Sequence, residues 1–250
     1  ANPHLCSILQ GLDAIPYASS DEIFFDGKGD FECVTATESD SRPFLRLRWA
    51  TQSLKSDGAN NGMPFHLSKM TGNIEEKESV QTQLIGSYNL ENALAAIRVG
   101  LYFGLEDQDI ADALRDYCPG NNRSQLNETG RNHLIIDAYN ANPSSMAAAL
   151  DNFCLIRARR KAVFLGDMLE LGDESLSEHA KVIAKLREMG PDLVILVGKE
   201  FAAAAGNGKY LCFRTSEDAA DYLSKNPIQG FTVLIKGSRG TRMEKLIPVL

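Results

Sequence analysis

The sequence predicts an α/β protein: a doubly wound parallel sheet in the second half, entered through a β-meander and two helices. Three observations carry that reading. From residue 123 onward, short apolar runs such as HLIIDA, KAVFL, LVILV and FTVLI alternate with helical patterns. Runs apolar on both faces suit strands covered by helices on each side, joined by right-handed crossovers. Before residue 85 the segments instead alternate in polarity, as in Phe44-Leu45-Arg46-Leu47-Arg48-Trp49, which suits strands with one wet face. Between the halves, Pro119-Gly120-Asn121-Asn122 is turn chemistry and marks a domain boundary.

Taken in order, strands are expected at Phe31 to Thr37, Phe44 to Ala50, Met63 to Lys69 and Val80 to Ile85. The Asp-Gly and Asn-Gly pairs within Ser53 to Gly62 are expected to form a turn. Leu90, Leu94, Ile97 and Leu101 recur at helical spacing, with Ala93 and Ala96 permitting close packing. A second helix is expected over Glu106 to Tyr117. Beyond the boundary, strands are expected at His133 to Ala138, Lys161 to Leu165, Leu193 to Val197, Tyr210 to Phe213 and Phe231 to Ile235. The helices between and after them are Pro143 to Phe153, Leu176 to Met189, Lys199 to Ala205, Ser216 to Lys225 and Arg239 to Leu250. Leu176, Ala180, Ile183, Leu186 and Met189 are the expected buried stripe of the middle helix.

Composition narrows the functional classes. A chain of 250 residues folds as one or two domains and buries about three quarters of its unfolded surface, so no staple is required. Its 44% hydrophobic and 24% charged residues are those of a globular protein. The net charge of −7 opposes a nucleic-acid or anionic-membrane partner, each of which needs a basic footprint. No apolar run is long enough to span a bilayer, and the start Ala1-Asn2-Pro3-His4 does not read as a secretory signal. Without an initiator Met, the chain reads as a piece of a longer protein. Five scattered cysteines with no CxxC pair imply reduced thiols in the cytoplasm rather than a disulfide frame or zinc site.

In an open α/β sheet, ligands bind beyond the carboxyl ends of the strands. Three loops there are unusually polar. In Asp137-Ala138-Tyr139-Asn140-Ala141-Asn142-Pro143, an acid at a strand end can accept from both hydroxyls of a ribose, and Asn142-Pro143 reads as an N-cap with a first-turn proline. A well-capped turn alone explains Asn142 and Pro143, but not Tyr139 and Asn140. Gly166-Asp167-Met168-Leu169-Glu170-Leu171-Gly172 brackets an acid between glycines, with His179 on the helix that follows; a lone histidine there is more often a surface or capping residue. Lys236-Gly237-Ser238-Arg239-Gly240 combines two cations, a hydroxyl and backbone N–H groups at a helix start, which reads as an anion site or else as a solvated turn. No GxxxxGK[ST], GxGxxG after a strand, or GxSxG occurs in the 250 residues.

With these segments in view, the sequence resembles the Mur ligase family. Gly86 to Ala96 (GSYNLENALAA) is similar to the family's linker helix. DAYNANPSSM at 137–146, GDMLELG at 166–172 with His179, and KGSRGTRME at 236–244 follow in the order and spacing of the branch that uses D-alanyl-D-alanine. The resemblance is close over residues 86–250 and weak over 1–85. It implies a Rossmann-like carboxyl domain at 121–250, preceded by the carboxyl-terminal part of a central ATPase domain at 1–120.

The implied enzyme is a cytoplasmic, monomeric, ATP- and Mg²⁺-dependent ligase of peptidoglycan precursor synthesis. It joins D-alanyl-D-alanine to UDP-N-acetylmuramoyl-tripeptide through an acyl phosphate. By resemblance, Asn92 contacts adenine and Asn89 shapes the same turn. Arg123 reaches the nucleotide, Asp137 grips the ribose, and Tyr139 and Asn142 lie in the same nucleotide-facing loop. Asp167, Lys236, Ser238 and Arg239 orient the incoming amine. Tyr88 departs from the pattern, where many members carry His. The P-loop, the magnesium-holding residues, the carbamylated lysine and the UDP-sugar domain have no counterpart here. No catalytic or metal-binding residue is therefore assigned, and the isolated chain is expected to be inactive. Two alternatives stand beside this reading: a related ligase such as a folylpolyglutamate synthase, and a non-catalytic nucleotide-binding module.

Overall fold

The structure is a computed structural model, and it describes residues 17–18, 22–23, 29–39, 44–56, 65–66, 79–86, 89–120, 125–206 and 209–250. The chain divides into two compact units, one of Ala1–Gln83 with Ser87–Tyr117 and one of Leu84–Gly86 with Cys118–Leu250.

Up to residue 117, strands Tyr17–Ala18 (β1), Glu22–Ile23 (β2), Gly29–Ser39 (β3), Phe44–Ser56 (β4), Phe65–His66 (β5) and Val80–Ile85 (β6) precede helices Leu90–Tyr102 (α1) and Asp107–Asp116 (α2); all but the last two residues of β6 belong to the first unit. Four strands form a sheet in the order β1-β3-β4-β6, while β2 pairs with β5. The β3–β4 hairpin is antiparallel from Ser39↔Arg46 to Gly29↔Ser56. Its alternation buries Leu45, Leu47 and Trp49. Pairing of Ser53, Leu54 and Lys55 with Glu32, Phe31 and Asp30 carries β4 to Ser56. The turn expected from Ser53 therefore starts too early: ladder bonds to a long partner strand outweigh local turn preference. Its remainder, 57–62, and most of the strand expected at 63–69 lie outside the described residues. Trp49 Nε1 donates to Asp107 Oδ1 at 2.9 Å, tying the sheet to the first turn of α2. Helix α1 buries Ala93, Leu94, Ile97 and Gly100.

The second unit is the predicted α/β layer. Its elements are Gln125–Glu128 (β7), His133–Asp137 (β8), Pro143–Leu155 (α3), Lys161–Gly166 (β9), Ser175–Met189 (α4), Leu193–Val197 (β10), Lys199–Ala205 (α5), Leu211–Phe213 (β11), Ser216–Lys225 (α6) and Thr232–Lys236 (β12). The sheet runs β11-β10-β9-β12-β8-β7. The first five strands are parallel. β7 is an antiparallel edge. That edge strand was not predicted, because QLNE is polar and mostly exposed and shows no apolar pattern.

Leu134, Ile136, Phe164, Ile195, Val197, Val233 and Ile235 share one core with Ala219 and Leu223 of α6 and with Leu246 and Leu250. The alternate strand residues Ile135, Val163, Leu165, Val194, Leu196 and Leu234 are buried as well, so both faces of the sheet are covered. At the amino end of the sheet, the buried Asn132 amide donates to Ile228 O and Leu250 O and accepts from Phe231 N.

Two expectations need correction. The helix expected over Arg239 to Leu250 is instead two 3₁₀ segments, Arg239–Thr241 and Met243–Val249. Arg242 between them adopts φ +51°, and Pro248 offers no N–H, so a continuous α-helical ladder cannot form. In α4, Leu176 and Ala180 face solvent. The buried stripe is His179, Val182, Ile183 and Leu186, a register shifted by the burial of the histidine.

Candidate functional site at the carboxyl edge of the sheet

The parallel register brings five strand ends to one rim. Lys236 lies beside both Asp137 and Leu165, and Val197 lies beside Gly166 and Phe213. β12 returns between β8 and β9, so the three polar loops open at the topological switch of the sheet, where ligands bind in such folds.

Lys236 does not offer a free ammonium. Its side chain is 1% exposed and donates to Asp137 Oδ2 at 2.5 Å and to Asn140 O at 3.2 Å. A buried cation needs a counter-charge and satisfied donors, and Asp137 with the 140 carbonyl supplies both. Of the cations expected to form the anion site, only Arg239 is exposed, its guanidinium 5.6 Å from the centre of the Tyr139 ring. Asp137 is bound to Lys236 through one oxygen, which leaves Oδ1 for a hydroxyl donor.

Ser238 joins all three loops. It is 4% exposed. Its hydroxyl donates to Ala141 O at 3.3 Å and accepts from Leu169 N at 3.0 Å. Its amide donates to Asp167 O. Asp167 is equally committed: Oδ2 accepts from Glu200 N and Oδ1 from Phe201 N, at the first turn of α5. The carboxylate thus anchors α5 to the β9 loop. Asn142 is the N-cap of α3, accepting from Ser145 N at 2.8 Å and from Ser144 Oγ at 3.0 Å, so the capping reading accounts for its contacts.

His179, taken from sequence for a surface or capping residue, is fully buried. Met168 N donates to its Nε2 at 3.0 Å, and its Nδ1 lies 2.7 Å from Ser175 O. Nε2 is therefore the acceptor, and Nδ1 carries the hydrogen. That assignment makes the 3.8 Å approach of Nε2 to Asp167 Oδ1 a neutral contact rather than an ion pair. The imidazole also stands edge-on to Phe201. It pins the start of the GDMLELG loop from beneath.

Close packing makes glycine necessary at this rim. A Cβ on Gly166 would overlap the Thr241 hydroxyl and stand 2.8 Å from Thr241 Cβ. Thr241 itself donates to Ser238 O at 2.6 Å. Gly198, at φ +117°, has no room beside the Asp167 carboxyl. Thr241 and Gly198 were not picked out from sequence. Only Gly198 carried a signal, as a glycine directly after the apolar run LVILV.

Asn89 and Asn92 lie in the first unit, where Asn92 Nδ2 donates to Asn89 Oδ1 at 3.1 Å across the start of α1. Arg123 lies outside the described residues. Among the described residues, no three acidic, histidine or cysteine side chains gather as a metal site.

Comparison with known proteins finds relatives of this chain in sequence and in fold. Residues 122–239 match the family model described as Mur ligase, glutamate ligase domain. A relative in Bacillus subtilis, a UDP-N-acetylmuramoyl-tripeptide–D-alanyl-D-alanine ligase, is 34% identical over 173 residues, covering 66% of this chain and 38% of its own. The enzyme of the same name in Escherichia coli is 32% identical over 195 residues, covering 76% and 42%. A crystal structure of MurF from Acinetobacter baumannii superposes with a TM-score of 0.66 at 28% identity, covering 86% of this chain and 44% of that one. The chain thus spans about two fifths of the length of the relatives it matches. The chain belongs to the Mur ligase family, and residues 122–239 carry that family's glutamate ligase domain.

Proposed function

We propose that this chain is the carboxyl-terminal portion of an ATP-dependent ligase that joins D-alanyl-D-alanine to UDP-N-acetylmuramoyl-tripeptide. The observation that carries the reading is the union of three motif loops at one sheet edge, held by Lys236–Asp137 and by Ser238, in a chain 34% identical to an enzyme of that name. Residues 1–120 are then the end of the central ATPase domain, and 121–250 are the carboxyl domain.

In the proposed reaction, the γ-phosphoryl group of ATP passes to the tripeptide's terminal carboxylate, and ADP departs. The dipeptide amine attacks the resulting acyl phosphate carbon and loses a proton. The tetrahedral intermediate then expels phosphate to leave an amide. On this chain, Asp137 Oδ1 accepts from the ribose, and Tyr139 with Asn142 flanks the nucleotide. By the family resemblance, Asn92, Asn89 and Arg123 are also assigned to the nucleotide. Arg239 presents an exposed guanidinium to a carboxylate. Asp167, Lys236 and Ser238 act by positioning, since each is engaged inside the protein. Free Cys154 and Cys212 suit the cytoplasm, where ATP and UDP-linked precursors are available.

The test is turnover by the polypeptide extended through its upstream coding region. Phosphate release that requires both the UDP-linked tripeptide and D-alanyl-D-alanine is expected. The 250 residues alone should release none. Release that requires glutamate and a folate would instead favour the folylpolyglutamate synthase reading.

A further inference from the structure

The charge of the chain is unevenly divided. Residues 118–250 carry 17 lysines and arginines against 15 aspartates and glutamates, whereas residues 1–117 carry 9 against 18. The net charge of −7 therefore arises in the first part, and the sum conceals a second part that is slightly basic. Asymmetry of this kind between the halves of a chain points to an anionic partner for the basic half.

Within the second unit, arginines gather at the amino end of the sheet, opposite the rim of the motif loops. The connection from α3 to β9 reads Leu155-Ile156-Arg157-Ala158-Arg159-Arg160. Gly230 N donates to Arg131 O at 2.8 Å and Thr232 N to Arg160 O at 3.0 Å, so Arg131 and Arg160 flank the start of β12. The Arg160 guanidinium lies 3.8 Å over the Phe231 ring and donates to Gln229 O. Arg131, Arg157 and Arg159 are exposed, and none has a side-chain hydrogen bond or ion pair among the described residues. Of the acids nearby, Glu128 lies 3.4 Å from His133, and Asp192 accepts from Lys161 N at 2.7 Å.

Cations that follow a helix can serve simply to answer its last carbonyls. Here Lys161 does that, donating to Phe153 O and Cys154 O at the end of α3. Arg157 and Arg159 are left without that role. Beside them, Leu155 stands 51% exposed.

We propose that this end of the second unit docks on an anionic lipid surface, with Arg131, Arg157 and Arg159 among the headgroup phosphates and Leu155 at the acyl boundary. A lipid surface answers both the basic and the apolar feature, whereas an acidic protein or a nucleic acid would match the arginines alone. The arginines come from two separate loops and spread over one end of the layer, which suits a field of headgroups. β12 is five residues long. At a rise of about 3.3 Å per residue, the motif rim lies about 15 Å away, so docking leaves it open.

The test pellets the 250-residue chain with vesicles of phosphatidylcholine, alone or with about one third phosphatidylglycerol. Binding is expected to the anionic vesicles at about 0.05 M salt, with release at about 0.5 M and none to neutral vesicles. Each arginine near the surface contributes about fivefold, so Arg131→Gln, Arg157→Gln and Arg159→Gln together should weaken binding about a hundredfold. Their melting temperature should not change, since all three side chains are exposed and unpaired. Leu155→Gln should weaken binding severalfold. Arg214→Gln with Arg242→Gln, beyond the opposite ends of the strands, should leave it nearly unchanged. A paramagnetic lipid should broaden the amides of residues 131, 155–160 and 229–231 and spare those of 166–172. Failure to pellet with anionic vesicles overturns the proposal, as does pelleting that survives the triple substitution. Equal loss from the Arg214 and Arg242 substitutions overturns it by showing a response to net charge alone, and undiminished binding after Leu155→Gln overturns the lipid contact. Tighter binding of polyglutamate or of a single-stranded DNA oligonucleotide than of the vesicles identifies another class of partner and also overturns it.

Discussion

Lys236 and Asp137 face each other across the paired ends of β12 and β8, with Nζ 2.5 Å from Oδ2, and their burial is unequal: 1% exposure for the lysine side chain against 16% for the aspartate. That inequality predicts unequal costs of cutting the pair. Asp137→Ala leaves an ammonium deep in the protein with only Asn140 O for company, at a cost of about 3–5 kcal/mol. Lys236→Met leaves a carboxylate that can turn toward water, and should cost about 1–2 kcal/mol. Urea denaturation of the two variants checks the order; equal losses would mean that the ammonium escapes to solvent.

His179 supplies a second test. Replacing it with Leu preserves apolar packing against Phe201 but removes the acceptor for Met168 N–H inside the protein. An orphaned buried amide costs about 1–3 kcal/mol. The loss should be local, so the Met168 amide should exchange its hydrogen much faster in the variant, while Val194 to Val197 of β10 remain protected. Nitrogen chemical shifts of the wild-type imidazole should report hydrogen on Nδ1.

How much of this was legible in the sequence depended on where the physical signal lay. The parallel strands were found to within two residues because LVILV or KAVFL has little alternative to a doubly covered strand. β7 was missed because an exposed edge strand has no hydrophobic signature. The motif loops pointed to the right rim through their polar residues after strand ends. What the sequence could not reveal was which polar groups would be used up internally. Asp167 and Lys236 carry the charges of a binding site, yet their partners, the amides of residues 200 and 201 and Asp137, become neighbours only once the sheet is assembled. His179 stayed ambiguous for a similar reason. Its acceptor role depends on a loop amide eleven residues earlier, which helical periodicity does not report.

Gly166 makes the packing argument testable. An alanine there would drive its methyl group into Thr241, which is fixed by its own bond to Ser238 O. Overpacking of this kind costs about 1–3 kcal/mol, or more when backbone must move. Gly166→Ala should lower stability by at least that amount and loosen the Arg239–Thr241 turn. Adding Thr241→Gly removes the obstructing side chain, so the double variant should be less unstable than the two single losses added together. Additive losses in a double-mutant cycle would show that the clash is relieved elsewhere.

Glu217 provides the pH prediction. Its folded-state carboxyl titrates near 2, against an ordinary value of 4.5, chiefly because Lys245 bonds to it. A group with a depressed folded pKa favours the native state fully above its unfolded pKa, and that contribution is lost as pH falls from about 4.5 toward 2. The side chain is exposed, so the effect on global stability should be small and weakened by salt. A site-resolved titration is therefore the sharper measurement. Carboxyl NMR should place the Glu217 midpoint near 2, and Lys245→Met should raise it toward 4.5 while Glu217→Gln flattens the stability profile over that interval. A midpoint near 4.5 in the unsubstituted protein would show that the Glu217–Lys245 ion pair does not persist in solution.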